Sequence, residues 1–333
     1  MKIDQSSYRE IIPGILRGRL TAPPSKSISH RLLIIAALSG RKCQIDNLLR
    51  SEDIQVTLQA LNQMGFAMED LGKTVIFTGK RELPTQAVQI DFGNSGTSAR
   101  LLTAVAAYLP GNFILTGSSR MQQRPMKPLL LALGNAGTKM EHRDGFLPIT
   151  IRGGQLRGGE VTIDASASSQ FISALMLVAP CTEKGFRITP DGRIASAGYI
   201  ELTAELMRKY GINLHWQEQS LLIPGFQKYR IDRAMVEGDY SNISYFVAGA
   251  AISGGEVLIS GLEKDSAQGD RIILELAKKA GADIRWSKNG LKIKAGDLRG
   301  INENMNSCPD LVPAVAVMAL FAKEPSRFRQ IGH

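Results

Sequence analysis

A polar, serine-rich segment that runs into a small-residue apolar helix recurs five times, and this repeat restricts the possible folds more than any other feature of the chain. The copies are Ser25–Leu38, Asn94–Leu109, Ser166–Ala179, Asp239–Ile252 and Cys308–Phe321. Aligned on Ser29, Ser98, Ser169, Ser244 and Val312, they stand 69, 71, 75 and 68 residues apart. Between them lies a second repeated element, an amphipathic helix closed by glycine: Ile54–Gly65, Met126–Gly137, Ile200–Gly211 and Ile272–Gly281. Each glycine stands where a helix C′ residue with positive φ is wanted. Short β-rich runs fill the gaps, namely Thr74–Thr78, Phe113–Thr116, Phe186–Thr189, Glu256–Ser260 and Leu291–Lys294. The unit reads as strand, buried helix, strand, amphipathic helix and further strands, about 70 residues in all and longer than any solenoid repeat. No GxGxxG follows a strand, so this is not a dinucleotide-binding sheet.

A helix that is apolar on every face must be packed on every side. Five such helices with polar N-termini can aim N–H donors and dipole ends at one place, where a multiply charged anion would bind. The first copy, Pro24-Ser25-Lys26-Ser27-Ile28-Ser29-His30-Arg31, adds two cations and three hydroxyls, with a helix start expected near Ser27–Ser29. The second, Gly93-Asn94-Ser95-Gly96-Thr97-Ser98-Ala99-Arg100, offers glycines for close backbone approach and side-chain donors at Asn94 and Thr97. Downstream, Arg124 precedes Pro125, a residue suited to open a helix, and its guanidinium can fork onto a phosphate or carboxylate there. The third copy places Ser168, Ser169 and Gln170 at a buried helix start, where a cap needs one hydroxyl only. Ser196 and Tyr199 precede the helix at Ile200. Asp310, between Pro309 and Leu311, is either a dipole-stabilised cap or a general base facing Lys26.

Composition narrows the ligand. The 333 residues carry a net charge of +9, which favours an acidic partner. With 6% aromatic residues and dispersed basic ones, the stacking platforms of nucleic-acid binding are missing, so the partner is expected to be a small anion. Cys43, Cys181 and Cys308 are odd in number and far apart, as in a reducing cytoplasm, and the four histidines show no metal-ligand spacing. The N-terminus, Met1 to Ser7, is too polar for a signal peptide. The longest apolar run, Leu311–Ala322, is too short to span a bilayer, so a soluble, cytoplasmic protein is expected.

Taken together, the segments Pro24–Arg31, Gly93–Arg100, Arg120–Pro125 and Ser168–Gln170, with Glu237-Gly238-Asp239-Tyr240-Ser241 and Cys308-Pro309-Asp310-Leu311-Val312-Pro313, resemble the 5-enolpyruvylshikimate-3-phosphate synthase family over the whole chain and in order. The resemblance implies an α/β fold, a two-domain inside-out α/β barrel of repeated βαβαββ units. Residues 22–235 would form a complete three-unit domain, and 1–21 with 236–333 an incomplete second one. It implies transfer of the carboxyvinyl group of phosphoenolpyruvate to the 5-hydroxyl of shikimate 3-phosphate, releasing phosphate, without cofactor or metal, by a monomeric enzyme. By position, Lys26 would bind both substrates and help move protons, and Asp310 would accept the 5-hydroxyl proton. Ser27, Arg31, Ser168, Ser169, Gln170 and Ser196 would hold shikimate 3-phosphate, and Asn94, Gly96 and Arg124 would line the phosphoenolpyruvate site. Ala197-Gly198 depart from the basic residue and proline common before the tyrosine in the family. The related UDP-N-acetylglucosamine enolpyruvyl transferases usually carry a reactive cysteine in the loop matching Gly117–Arg124, and none occurs here. At the observed spacing the fifth unit should run roughly 45 residues further. A C-terminally truncated chain is therefore expected, with an uncovered fifth helix, a tendency to associate, and in the extreme an inactive anion-binding protein.

Overall fold

The computed structural model describes residues 12–331; the polar stretch Met1–Ser7 and the chain end at His333 lie outside them. The repeat is plainest in the sheets. Strand β5 (Val88–Asp91) runs parallel to β6 (Gly111–Thr116), which pairs antiparallel with β8 (Phe146–Gly153), itself antiparallel to β7 (Lys139–Arg143). Helix α3 (Gly96–Tyr108) joins β5 to β6, and α4 (Lys127–Asn135) joins β6 to β7. The order recurs with β9 (Gly159–Asp164), α5 (Gln170–Val178), β10 (Phe186–Asp191), α6 (Gly198–Lys209), β11 (His215–Gln217) and β12 (Ser220–Ile223).

In two further sheets of this kind the parallel edge strand is exchanged. One contains α1 (Lys26–Ser39), β2 (Lys42–Asp46), α2 (Glu52–Gln63), β3 (Phe66–Asp70) and β4 (Val75–Arg81), and its edge strand is β13 (Arg233–Met235), which leads into α7 (Tyr240–Ile252). The other contains α7, β14 (Glu256–Ser260), α8 (Ile273–Lys279), β15 (Asp283–Ser287) and β16 (Gly290–Lys294), and its edge strand is β1 (Arg17–Thr21), which leads into α1. A short parallel pair, β17 (Asn302–Asn304) and β18 (Arg327–Arg329), brackets α9 (Val312–Leu320).

Buried apolar side chains form two cores. One runs from Ile28 to Val236; the other holds Ala22 and residues from Tyr240 to Met318. The chain crosses between them twice, side by side. Ser25 donates its N–H to the Glu237 carbonyl and Asp239 donates to the Pro23 carbonyl, each at 2.8 Å, around an antiparallel bridge of Pro24 and Gly238. A second set of contacts lies apart from this crossing. Arg193 donates to the Asn306 and Gln330 side chains, and the Ser196 N–H donates to the Asn306 carbonyl.

Local chemistry sets the helix ends. Helix α1 begins at Lys26 rather than at Ser27–Ser29, because the Ser25 hydroxyl accepts the Ile28 N–H and makes Ser25 the cap. Gly65, Gly137, Gly211 and Gly281 all take positive φ, from 87° to 107°. A Cβ on Gly65 would also lie 2.0 Å from the Glu82 carbonyl oxygen, so the glycine admits the returning chain as well as the turn.

The expectation of apolar helices packed on every side needs correction for α7, whereas the fifth helix, α9, was expected to be uncovered. Helices α1, α3 and α5 are enclosed, with nearly every residue buried among one another and the surrounding sheets. Helices α7 and α9 pack against each other and α8, and α7 also against β14 and β16, yet one face stays open, with Tyr245, Phe246, Val317, Leu320 and Phe321 exposed. No helix among the described residues is long and apolar enough to cross a membrane.

Candidate active site

A cleft of about 690 Å³ opens where the two cores meet, and residues from both line it. The first core supplies Lys26, Ser27, Ser51, Asp53 and Tyr199; the second supplies Asp239, Ser241, Asn242, Tyr245 and Asp310. A depression of equal volume on the solvent face of the β1–β14–β16 sheet is lined by Arg17, Arg19, Glu256 and Lys292. There Lys292 pairs with Glu256 at 2.8 Å across exposed strands, as on any solvated sheet face.

Lys26 is the first residue of α1. Its ammonium lies 3.3 Å from the Asp53 carboxylate, and its backbone N–H donates to Asp239 at 3.0 Å. The other oxygen of Asp239 accepts the Asn242 N–H, so one buried carboxylate caps α7 and holds the start of α1. Burial alone would raise the pKa of Asp53, but a hydrogen bond from Ser95 and the Lys26 charge hold it below the usual carboxylate range. Because Ser95 caps α3, Asp53 connects Lys26 to the next helix start.

At that start the close backbone approach expected of the Gly93–Arg100 glycines is found at Gly96. A Cβ on Gly96 would fall 2.5 Å from Arg124 Nη1, so glycine is what lets the guanidinium reach the backbone. Asn94 is exposed and its side-chain oxygen accepts from Ser118. Arg100 donates through Nη1 to Ser168 Oγ at 3.2 Å and to Gln170 Oε1 at 3.0 Å, and Gln170 Nε2 donates to Thr97 Oγ1 at 3.0 Å. The starts of α3 and α5 are thus laced together. Ser169, beside them, is buried.

Arg31 is no surface cation. It is 1% exposed, with Nε donating to Thr203 Oγ1 at 2.7 Å and Nη1 to the Ser27 carbonyl at 2.9 Å. Its Nη2 reaches Ser173 Oγ and the Tyr199 carbonyl, both at 3.3 Å. Burial pulls its pKa down to about 10. One Nη1 hydrogen is left over for a ligand, and the other bonds hold Ser27 and Tyr199, which line the cleft.

Asp310 is exposed to the cleft and accepts a hydrogen bond from the Tyr199 hydroxyl at 2.6 Å. Its helical turn has no side-chain cap bond, and Asp310 stands in the first turn rather than at the cap position, Cys308. Burial, and then the charges of Asp270 and Asp310, push the Tyr199 hydroxyl well above its ordinary pKa; it stays protonated and donates. Ser196 takes a left-handed φ of 55° at the turn into α6.

The structure therefore gathers Lys26, Ser27, Tyr199 and Asp310 in one cleft, and Asn94, Gly96, Arg124, Ser168 and Gln170 at two adjoining helix starts. Sequence reasoning gave no site role to Asp53 or Asp239. Each looks like an ordinary acidic residue at a helix start, and nothing local distinguishes it from one.

Comparison with known proteins gives a consistent result. A family profile described as EPSP synthase (3-phosphoshikimate 1-carboxyvinyltransferase) matches residues 12–333. The 3-phosphoshikimate 1-carboxyvinyltransferase of Colwellia psychrerythraea is 38% identical over 326 residues, covering 96% of this chain and 76% of the relative. That of Syntrophobacter fumaroxidans is 37% identical over 329 residues, covering 97% and 78%. An EPSP synthase structure from Acinetobacter baumannii superposes with a TM-score of 0.81 at 26% identity, covering 96% of this chain and 75% of that one. Its two-domain, inside-out α/β architecture is the one described above. The chain is a member of the EPSP synthase family.

Proposed function

We infer that the chain is a 3-phosphoshikimate 1-carboxyvinyltransferase, transferring the carboxyvinyl group of phosphoenolpyruvate to the 5-hydroxyl of shikimate 3-phosphate and releasing phosphate. The observation that carries this reading is the placement of Lys26 and Asp310 on opposite walls of one cleft. Addition forms a bond from the 5-oxygen to C2 of phosphoenolpyruvate while the hydroxyl proton leaves and a proton joins C3. Elimination then removes a proton from that methyl group and expels phosphate. Such a sequence needs an acid and a base within reach of one tetrahedral carbon.

Asp310 is read as the acceptor of the 5-hydroxyl proton, with the Tyr199 hydrogen bond fixing the carboxylate. Lys26 contacts both substrates and takes part in proton movement, held by Asp53 and Asp239. Ser27, Arg31, Ser168, Ser169, Gln170 and Ser196 hold shikimate 3-phosphate; Asn94, Gly96 and Arg124 hold phosphoenolpyruvate. The two cores are read as two domains, 22–235 and 1–21 with 236–333; the two crossings around Pro24 and Gly238 support that division except at its edges, where Ala22 packs in the second core and Val236 in the first.

The test pairs binding with turnover. Lys26→Met should weaken shikimate 3-phosphate binding by more than about tenfold in calorimetry, and Lys42→Met, on an exposed strand end, should leave it unchanged. Asp310→Asn should lower phosphate release from the two substrates by roughly a hundredfold or more with little change in affinity. Parental turnover in Asp310→Asn would remove Asp310 as the base.

A further inference from the structure

Arg100 is the charged member of the laced helix starts and has no role so far. Its guanidinium lies 5.3 Å over the Phe171 ring, and its Nε is buried without a hydrogen-bond partner. Burial, and then the neighbouring Arg124 cation, lower its pKa to about 10. Neither arginine belongs to an ion pair among the described residues. Two adjacent cations, one of them largely desolvated, repel each other until an anion arrives.

The hydrogens decide what Arg100 does for that anion. A guanidinium only donates, so Gln170 must turn its carbonyl oxygen to Arg100 and its NH₂ the other way, where one hydrogen goes to Thr97 and one stays free. Ser168 Oγ receives hydrogens from Arg100 and from the Gln170 N–H, both at 3.2 Å. With both acceptor positions filled, the Ser168 hydroxyl has only its own hydrogen left to offer, and no acceptor for it lies among the described residues. Without Arg100, the serine can accept or donate and the amide can flip, and neither is set to receive a phosphate.

We propose that Arg100 is a positioning residue: by donating to Ser168 and Gln170 it commits both as donors to the phosphate of shikimate 3-phosphate and ties that subsite to Thr97 beside Gly96. This rests on the reading of Ser168 and Gln170 as shikimate 3-phosphate ligands. Arg100 itself acts through them, from the second turn of α3.

The experiment is calorimetric titration of shikimate 3-phosphate alone into the parent, Ser168→Ala, Arg100→Met, Arg100→Lys and the Arg100→Met/Ser168→Ala double variant, each checked for folding by thermal melting. Ser168→Ala and Arg100→Met should each weaken binding by about tenfold, and the double variant by little more than the worse single, because the two changes disable one device. Arg100→Lys keeps the charge without the planar guanidinium that holds Nη1 between its two acceptors, and should restore part of the affinity; its turnover should show a raised KM for shikimate 3-phosphate with the KM for phosphoenolpyruvate held. If Arg100→Met does not fold, the cycle runs with Arg100→Lys. A weakened Ser168→Ala beside an unchanged Arg100 variant, or single losses that simply multiply, overturns the positioning role and leaves the binding-site reading standing. Unchanged affinity in Ser168→Ala overturns that reading, and the inference with it.

Discussion

His30 sits in the middle of the Lys26–Arg31 segment and is shut away from the cleft, with Nδ1 against Thr57 Oγ1 at 2.8 Å. Burial, followed by the opposing contributions of Asp53 and the two cations, lowers its pKa from 6.5 to about 3. Between those values the unfolded chain binds a proton that the folded chain refuses. The stability is therefore complete above about pH 6.5 and is lost as pH falls toward 3, with a limiting slope of about 1.4 kcal/mol per pH unit. Asp270 works against this: burial raises its pKa from 3.8 to about 6, so its contribution falls as pH rises through that range. Opposite signs make the parent curve flat, and the informative quantity is a difference. His30→Gln should lose the acid-side slope of one proton in urea unfolding between pH 6.5 and 4.5, and a slope equal to the parent's would refute a neutral buried His30. Lys26 and Asp310 were legible in the sequence because each is a charge at the edge of an apolar run. The burial of Arg31 was not, since its partners Ser173 and Thr203 stand 142 and 172 residues further on.

Helices show the same division between local and distant causes. Positive φ at the four helix-ending glycines follows from the chain's own geometry, so spacing alone was enough to place them. How many faces of an apolar helix are covered depends on neighbours that hydropathy does not count. Helix α9 reads as apolar as α1, yet Leu320 is 82% exposed where Leu33 of α1 is fully buried. Leu33→Ala should cost about 2–5 kcal/mol through the cavity it leaves. Leu320→Lys should change stability by no more than about 0.5 kcal/mol, since it removes no buried contact. With that apolar face interrupted, the variant should stay monomeric to higher concentration than the parent on sizing columns. A stability loss near that of Leu33→Ala would mean that Leu320 is covered in solution.

At the scale of the molecule, two cores share one chain, and its two tryptophans fall one to each. Trp216 lies in β11 of the first core's sheets and Trp286 in β15 of the second's. Trp286→Phe and Trp216→Phe therefore leave single reporters of the first and second core. In urea, the Trp286 reporter should unfold at lower concentration, because the second core is smaller and leaves α7 and α9 open on one face. Coincident transitions would mean that the contacts across the cleft merge the cores into one cooperative unit. The exchange of β1 and β13 was not legible in the repeat, which predicts both strands but not that each pairs in the other half; only the domain bounds implied by the family resemblance place them so. That exchange has a kinematic consequence. A rotation of the halves about the line through Pro24 and Gly238 would spare the bonds between the two crossing strands, but it would pull apart the Arg193, Ser196 and Tyr199 contacts to Asn306, Gln330 and Asp310. Points on an axle stay still while the wheel turns. Lys26 follows Ser25 directly and is tied to Asp53 on one half and Asp239 on the other, so it sits at the axle, whereas Asp310 meets the opposite half through the Tyr199 hydroxyl.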